Sequence, residues 1–407
     1  MKAVVFHDVG DIRLEDVREP EIADDYDAIV RLTASAICGT DLHMIRGTMS
    51  GMKPGTILGH EGVGIIEELG RGVRNLSVGD RVVIPSTIAC GSCVYCRAGY
   101  HAQCDRANPK GPQAGTAFFG GPASTGPFHG LQAEKARIPF AHVGLVKIPE
   151  EVTDDQALLL SDIFPTGYFG ADLAEITPGD TVAVFGCGPV GQFVVASAKL
   201  RGASRIIAVD YEPSRLGMAK AQGAEIVNFD EEDPVEAIRV LTAGIGVDRA
   251  IDAVGVDAVH PHRRDERPTA AAAKGGDGEA QWQPGDGPAQ ALTWSVEALA
   301  KAGTLGIIGV YPPDAHDFPI GVAMSRNLTV KCGNCNHRKY IPMLLDLVRA
   351  ARVDPTAVLT HAAPLTDVID AYKSFDRRRS GWIKVELLPG SDGAGMIDSP
   401  RLGTGQL

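Results

Sequence analysis

One stretch constrains the fold of this 407-residue chain more than any other. The apolar run Thr181-Val182-Ala183-Val184-Phe185 feeds directly into Gly186-Cys187-Gly188-Pro189-Val190-Gly191, and a helix-like segment follows from Gln192 to Leu200. Asp210 closes the next apolar run, nineteen residues beyond Gly191. The glycine pattern alone is weak. Set between a strand and a helix, with an acidic residue ending the next strand, it specifies a parallel β-α-β unit built to meet a dinucleotide. Gly186, Gly188 and Gly191, with Pro189 and Val190 between them, let the backbone approach a pyrophosphate, and the helix N-terminus offers unpaired N–H groups and the positive end of its dipole. Asp210 is expected to accept hydrogen bonds from the adenosine ribose and to repel a 2'-phosphate, which favours NAD over NADP. Tyr211 adds no positive charge there, and Arg215 either reaches the ribose or lies on a solvated helix face.

Strands alternate with helix-length segments from residue 154 onward, as in an α/β, doubly wound parallel sheet. The expected strands are 181–185, 205–209, 225–227, 247–251, 303–309 and 328–331. Residues 1–153 read differently, as short β runs such as Ala28–Leu32 and Gly62–Leu69 broken by Gly, Pro and Asp, the pattern of a mostly β domain. A chain of this length fits two cores. The expected division is therefore 1–153, then a cofactor domain over 154–335, then a return to the first domain over 336–407, where Trp382–Leu387 is another β run and the tail from Pro389 is rich in Gly, Ser and Asp. Within the cofactor domain, 260–290 is rich in Gly, Ala and Pro and reads as a long surface insertion, either a loop without a role or an oligomer contact or lid.

A formal charge of -12 argues against nucleic acid as a partner and leaves small molecules. No run approaches the roughly 18 to 20 apolar residues that cross a bilayer, and Met1-Lys2-Ala3-Val4-Val5-Phe6 is a strand pattern without a signal-peptide core, so no membrane partner and a cytoplasmic location are expected.

Four of the eight cysteines lie within fifteen residues, as Cys90-x2-Cys93-x2-Cys96-x7-Cys104. Four thiolates so spaced can close a tetrahedral shell around one zinc ion, leaving no position for substrate, and metal binding then folds a lobe (90–104) that lacks a core of its own. An iron–sulfur cluster needs similar crowding, and two disulfides are the remaining alternative. A second group, Cys38-Gly39-Thr40-Asp41-Leu42-His43 followed by Gly59-His60-Glu61-Gly62, sets a thiol, an imidazole and a carboxylate in glycine-flanked turns.

Gly59-His60-Glu61, the Cys38-x-x-Asp41 turn, the four-cysteine lobe and the glycine fingerprint together resemble the zinc-dependent medium-chain alcohol dehydrogenases over nearly the whole chain. The resemblance implies a Rossmann cofactor domain beside a GroES-like catalytic domain, two zinc ions per chain, NAD, an alcohol or aldehyde substrate, and a homo-oligomer, either a tetramer or a dimer. It matches Cys38 and His60 to two catalytic zinc ligands and sets Asp162 where the third is often a cysteine. An aspartate there resembles the glutathione-independent formaldehyde dehydrogenase branch, which also carries a long insertion in its cofactor domain. Thiolate, neutral imidazole and carboxylate sum to zero charge around Zn²⁺, as two thiolates and an imidazole would. Glu61 is the competing third ligand, since in some relatives a glutamate beside the ligand histidine moves in. Thr40 would bridge the substrate oxygen to the nicotinamide ribose, with His43 as outer relay base, and Thr166 joins the cofactor contacts.

The reaction so implied takes a hydride from an alcohol or aldehyde hydrate to NAD. Its alternatives are a secondary-alcohol or polyol dehydrogenase, an aldehyde dismutase, and a relative that binds NAD without catalysis. The loop 108–130, holding Phe118, Phe119, Phe128 and His129, is either near the substrate mouth or packed on the surface, and the C-x-x-C pair Cys332 and Cys335 has no accompanying ligands.

Overall fold

The computed structural model describes residues 1–262 and 281–390. The chain divides into two units, the first made, among the described residues, of Met1–Pro165, Cys335–Arg378 and 382–390, the second of Thr166–Asn334 and Arg379–Gly381. Helix Asp154–Leu158 opens where the sequence pattern changes, with Thr153 and Gln156 capping each other at 3.2 Å in both directions, yet it stays with the first unit.

Along the first unit run β1 (Lys2–Asp8), β2 (Asp11–Asp16), β3 (Ala28–Ile37), β4 (Thr56–Ile57), β5 (Gly62–Leu69), β6 (Arg81–Ile84), β7 (Lys135–Ile138) and β8 (Val146–Lys147). The long β3 organises it. Ala28, Val30 and Leu32 are buried in the core with Ile66, Val82 and Ile84 from β5 and β6 of the same sheet, the period-2 pattern that fixes register. β3 pairs with β5 and β7, and its far end delivers Cys38 to the turn that starts helix Gly39–Arg46. His60 and Glu61 immediately precede β5.

The second unit holds β9 (Thr181–Phe185), β10 (Arg205–Asp210), β11 (Glu225–Asn228), β12 (Val247–Asp252), β13 (Leu299–Ile307) and β14 (Thr329–Cys332). All their pairings are parallel, in the order β11-β10-β9-β12-β13-β14, the doubly wound arrangement with its reversal beside β9. Val182, Ala183 and Val184 are fully buried, as a strand covered on both faces requires. β13 begins at Leu299 rather than Gly303, because the chain passes Ala302 with φ +60° before continuing the ladder. Of the 260–290 insertion only the ends are described, joined where the His260 amide donates to Asp286 at 2.9 Å. Its middle, 263–280, and the tail beyond 390 lie outside the described residues.

The chain then supplies β15 (Leu359–Pro364) and β16 (Lys384–Leu388) to the first unit. β16 pairs antiparallel with β3, Val385 opposite Ile37, which brings Lys384 to the end of β3 where Cys38 emerges.

Candidate metal centre and cofactor loop

Cys38, His60, Glu61 and Asp162, all buried, bring one ligand atom each within 4.8 Å of one another. The Cys38 thiol lies 3.8 Å from Asp162 Oδ2, and His60 Nε2 lies 3.4 Å from the same oxygen. On the far side of the imidazole, Asp41 Oδ1 is 3.2 Å from His60 Nδ1, though not aligned for a hydrogen bond. The other Asp41 oxygen accepts from the Cys38 amide at 3.0 Å and from Gln132 Nε2 at 3.1 Å. Tyr372 in turn donates to Gln132 at 2.8 Å.

Burial pushes the Cys38 thiol up. Burial alone would also raise Asp162, but hydrogen bonds from His337 and His60 outweigh it and hold the carboxyl well below the usual carboxylate range. Burial would lower His60; the charges of Asp41 and Cys38 and the hydrogen bond to Asp162 raise it instead. The cluster therefore attracts positive charge, and a divalent cation is the alternative to a proton on the ring. Glu61 is completely buried, pushed up by that burial against the pull of Lys384, which pairs with its Oε1. Its Oε2 has no partner, an orphaned buried acceptor beside three donor groups. Such a set fits a metal ion.

In the four-cysteine lobe the sulfurs also lie within 4.8 Å of one another. None is in a disulfide. Backbone amides point at them: Cys90 Sγ accepts from the Ser92 and Cys93 amides at 3.4 Å, Cys93 Sγ from Cys96, and Cys104 Sγ from Cys90 at 3.3 Å. Cys104 is drawn down to about 4 by a hydrogen bond from Cys96 and, beyond that, by amides of Cys90, Ala107 and Arg106. This shell has no fifth protein ligand among the described residues and suits a closed tetrahedral site.

The glycine loop is shaped by close approach. A Cβ on Gly191 would stand 1.8 Å from the Gly186 carbonyl oxygen, and Gly186 itself has φ +89°. Gly188 caps helix Pro189–Leu200, and a Cβ there would meet nothing nearer than an Arg215 guanidinium nitrogen at 3.9 Å. Space for a ligand thus lies before the helix end, with a cation facing it. Asp210 is buried and accepts from the Cys187 and Tyr211 amides, both at 2.7 Å, and from Glu212 at 3.0 Å.

Residues 24–150 match the alcohol dehydrogenase GroES-like domain family and 189–262 the zinc-binding dehydrogenase family. A zinc-type alcohol dehydrogenase-like protein, AdhB, of Bacillus subtilis strain 168 is 39% identical over 96% of this chain and all of its own length. The chain belongs to the zinc-dependent medium-chain alcohol dehydrogenases. Glutathione-independent formaldehyde dehydrogenase of Pseudomonas aeruginosa is 32% identical, covering 92% of this chain and 94% of that protein. The solved alcohol dehydrogenase TADH from Thermus sp. ATN1 superposes with a TM-score of 0.79 at 33% identity, over 96% of this chain and 100% of that one. As a family member the chain is an oxidoreductase using zinc and a nicotinamide cofactor on a small-molecule substrate. No helix among the described residues is long and apolar enough to cross a membrane.

Other alcohol dehydrogenase features fall less uniformly. Thr40 is half-buried on helix Gly39–Arg46, and no described residue hydrogen-bonds its hydroxyl. His43 is buried, with Nδ1 3.2 Å from the Thr48 hydroxyl. Thr166 is half-buried on helix Ile163–Leu173, at the start of the second unit. The 108–130 loop splits: the Phe118 and His60 rings stand nearly perpendicular with centroids 6.1 Å apart, whereas Phe119 is core and Phe128 packs on it. Cys332 is exposed and Cys335 buried, and neither joins a metal cluster among the described residues. Sequence reading missed His337, 2.6 Å from Asp162 Oδ1, and Lys384 against Glu61. The family motifs around Cys38 and His60 carry no trace of either, since both arrive from the C-terminal part of the chain.

Proposed function

We propose that this alcohol dehydrogenase oxidises an alcohol or aldehyde hydrate, formaldehyde hydrate among the candidates, with NAD as hydride acceptor. The observation that carries this reading is the convergence of a buried thiol, imidazole and carboxylate on one point. Cys38, His60 and Asp162 would hold the catalytic zinc, with Glu61 Oε2 in reserve, while Cys90, Cys93, Cys96 and Cys104 would hold a second, structural ion. Bound there, zinc would supply Lewis acidity toward the substrate oxygen, and the nicotinamide on the glycine loop would supply the hydride acceptor.

The chain's own residues do the rest. The Thr40 hydroxyl, uncommitted to any described residue, takes the substrate hydroxyl's proton as it passes its own onward, and His43 carries that proton away. Phe118 walls the site beside His60 and excludes water. The Gly186–Gly191 loop and Thr166 hold the dinucleotide, Asp210 takes its ribose hydroxyls on lone pairs left by the three amides, and Arg215 faces the adenosine end. The negative Asp210 is what selects NAD over NADP. A cytoplasmic homo-oligomer, with Met1–Pro165 and Cys335–Arg378 in the catalytic domain and Thr166–Asn334 as the cofactor domain, completes the reading.

The test is the zinc-loaded protein with NAD and, in turn, formaldehyde, primary alcohols, secondary alcohols and polyols, followed by NADH absorbance without glutathione. NADH with formaldehyde supports the formaldehyde dehydrogenase branch. NADH with alcohols or polyols alone moves the substrate to that class, and silence with zinc and NAD bound, with no formate or methanol formed from formaldehyde, overturns the catalytic reading.

A further inference from the structure

We propose that His337 is the positioning residue that aims Asp162 at the catalytic metal, by holding one carboxylate oxygen so that Oδ2 is the one turned toward Cys38 and His60. The proposal rests on the reading of Asp162 as the third ligand. The two oxygens of Asp162 are already divided: Oδ2 faces His60 Nε2 at 3.4 Å and the Cys38 thiol at 3.8 Å, while Oδ1 lies 2.6 Å from His337 Nε2. A carboxylate only accepts, so His337 Nε2 carries the proton in this bond.

The ring is held at its other end. His337 Nδ1 lies 3.0 Å from the Thr87 hydroxyl, and His337 is 3% exposed. His337 is also the first residue of helix His337–Arg349, and the turn before it is anchored on both sides. Asn336 accepts the Ala102 amide at 2.9 Å, inside the four-cysteine lobe, and Thr87 reaches the Cys335 carbonyl at 3.5 Å. The Ser86 amide bonds the Ser161 carbonyl at 3.0 Å, so the segment after β6 that carries Thr87 is joined to the segment carrying Asp162. The imidazole thus sits in a frame whose members are one residue from its two partners.

The bond from His337 to Oδ1 opposes rotation of the Asp162 carboxylate and its binding a metal through both oxygens. A carboxylate with one oxygen fixed offers one ligand atom, which leaves the three-donor set a position for substrate. Ligand histidines are commonly oriented by a carboxylate behind them, as Asp41 stands behind His60. At Asp162 the roles are exchanged, with a histidine behind a ligand carboxylate.

The test uses full-length protein with zinc kept in the cysteine lobe and Co²⁺ in the catalytic site, comparing wild type, H337F, H337Q and D162A. In H337F a chelator should strip cobalt about 10 to 100 times faster and the ligand-field spectrum should shift, with lobe zinc and circular dichroism unchanged. H337Q, whose amide N–H can stand where Nε2–H does, should stay within about threefold of wild type. If H337F keeps the wild-type spectrum and release rate while D162A loses the cobalt signal, Asp162 ligates but His337 does not position it, and the proposal is wrong. A cobalt signal retained in D162A overturns the ligand reading instead. Should H337F fail to fold, T87V replaces it: faster release supports the proposal, and an unchanged rate overturns it.

Discussion

Lys384 donates to Glu61 Oε1 and, at 3.0 Å, to the Ile37 carbonyl, while neither side chain exposes any surface to solvent. Removing one member of such a pair strands a charge in the interior, whereas removing both need not. K384M is expected to lower unfolding stability by about 3–5 kcal/mol, and adding E61Q should restore much of it. Urea unfolding of the three proteins checks this; a K384M cost below about 1 kcal/mol would mean the pair is not ionised.

Gly191→Ala places a methyl group 1.8 Å from the Gly186 carbonyl, so the loop must shift. NAD affinity should fall by at least about tenfold, since a loop displaced by even 1 Å no longer presents its amides to the pyrophosphate. Zinc content should not change. Calorimetric titration with NAD and metal analysis on the same sample read both.

Cys93→Ser opens the four-sulfur shell at its most exposed member. If the lobe holds the proposed ion, metal content should drop by about one ion per chain, with a lower melting temperature, because metal binding would then serve as folding energy for the lobe. Two ions retained per chain, with an unchanged melting curve, would refute a zinc role in the lobe.

Asp180 precedes β9 and accepts from the Thr177 amide at 2.8 Å and Arg249 Nε at 2.9 Å. Burial opposes its ionisation, but these bonds prevail and lower its pKa below the usual value. A carboxylate with a depressed folded pKa stabilises fully above its unfolded value of about 3.9, and the contribution vanishes as pH falls through the folded value. D180N should therefore cost about 1–3 kcal/mol at pH 7, and the gap to wild type should close as pH drops below about 4. A gap independent of pH would remove the charge from the account.

What could be read in advance was whatever the chain writes consecutively. The β9-loop-helix segment is contiguous, and so is Cys90 to Cys104, so spacing alone conveyed strand, turn, helix and shell. The start of β13 was hidden by Gly303, which looks like a break in sequence, whereas the sheet absorbs both it and the positive φ at Ala302. His337 and Thr87 are separated by 250 residues, and no periodicity spans such a distance. Asp41 stood in a noted motif, yet its double duty toward the Cys38 amide and His60 depends on the turn ending β3, which only coordinates reveal.

The pairing of β16 with β3 sets an order of assembly. During synthesis, β9 to β14 have all emerged and can form their own parallel sheet before the ribosome reaches β15 and β16. The first unit, although begun earlier, waits with the edge of β3 unpaired over Ser35–Ile37 and with Glu61 lacking Lys384. The last of the described strands thus brings Lys384 to the cluster begun by Cys38, His60 and Glu61, and a nascent chain can mature its nucleotide fold well before the half that carries those residues.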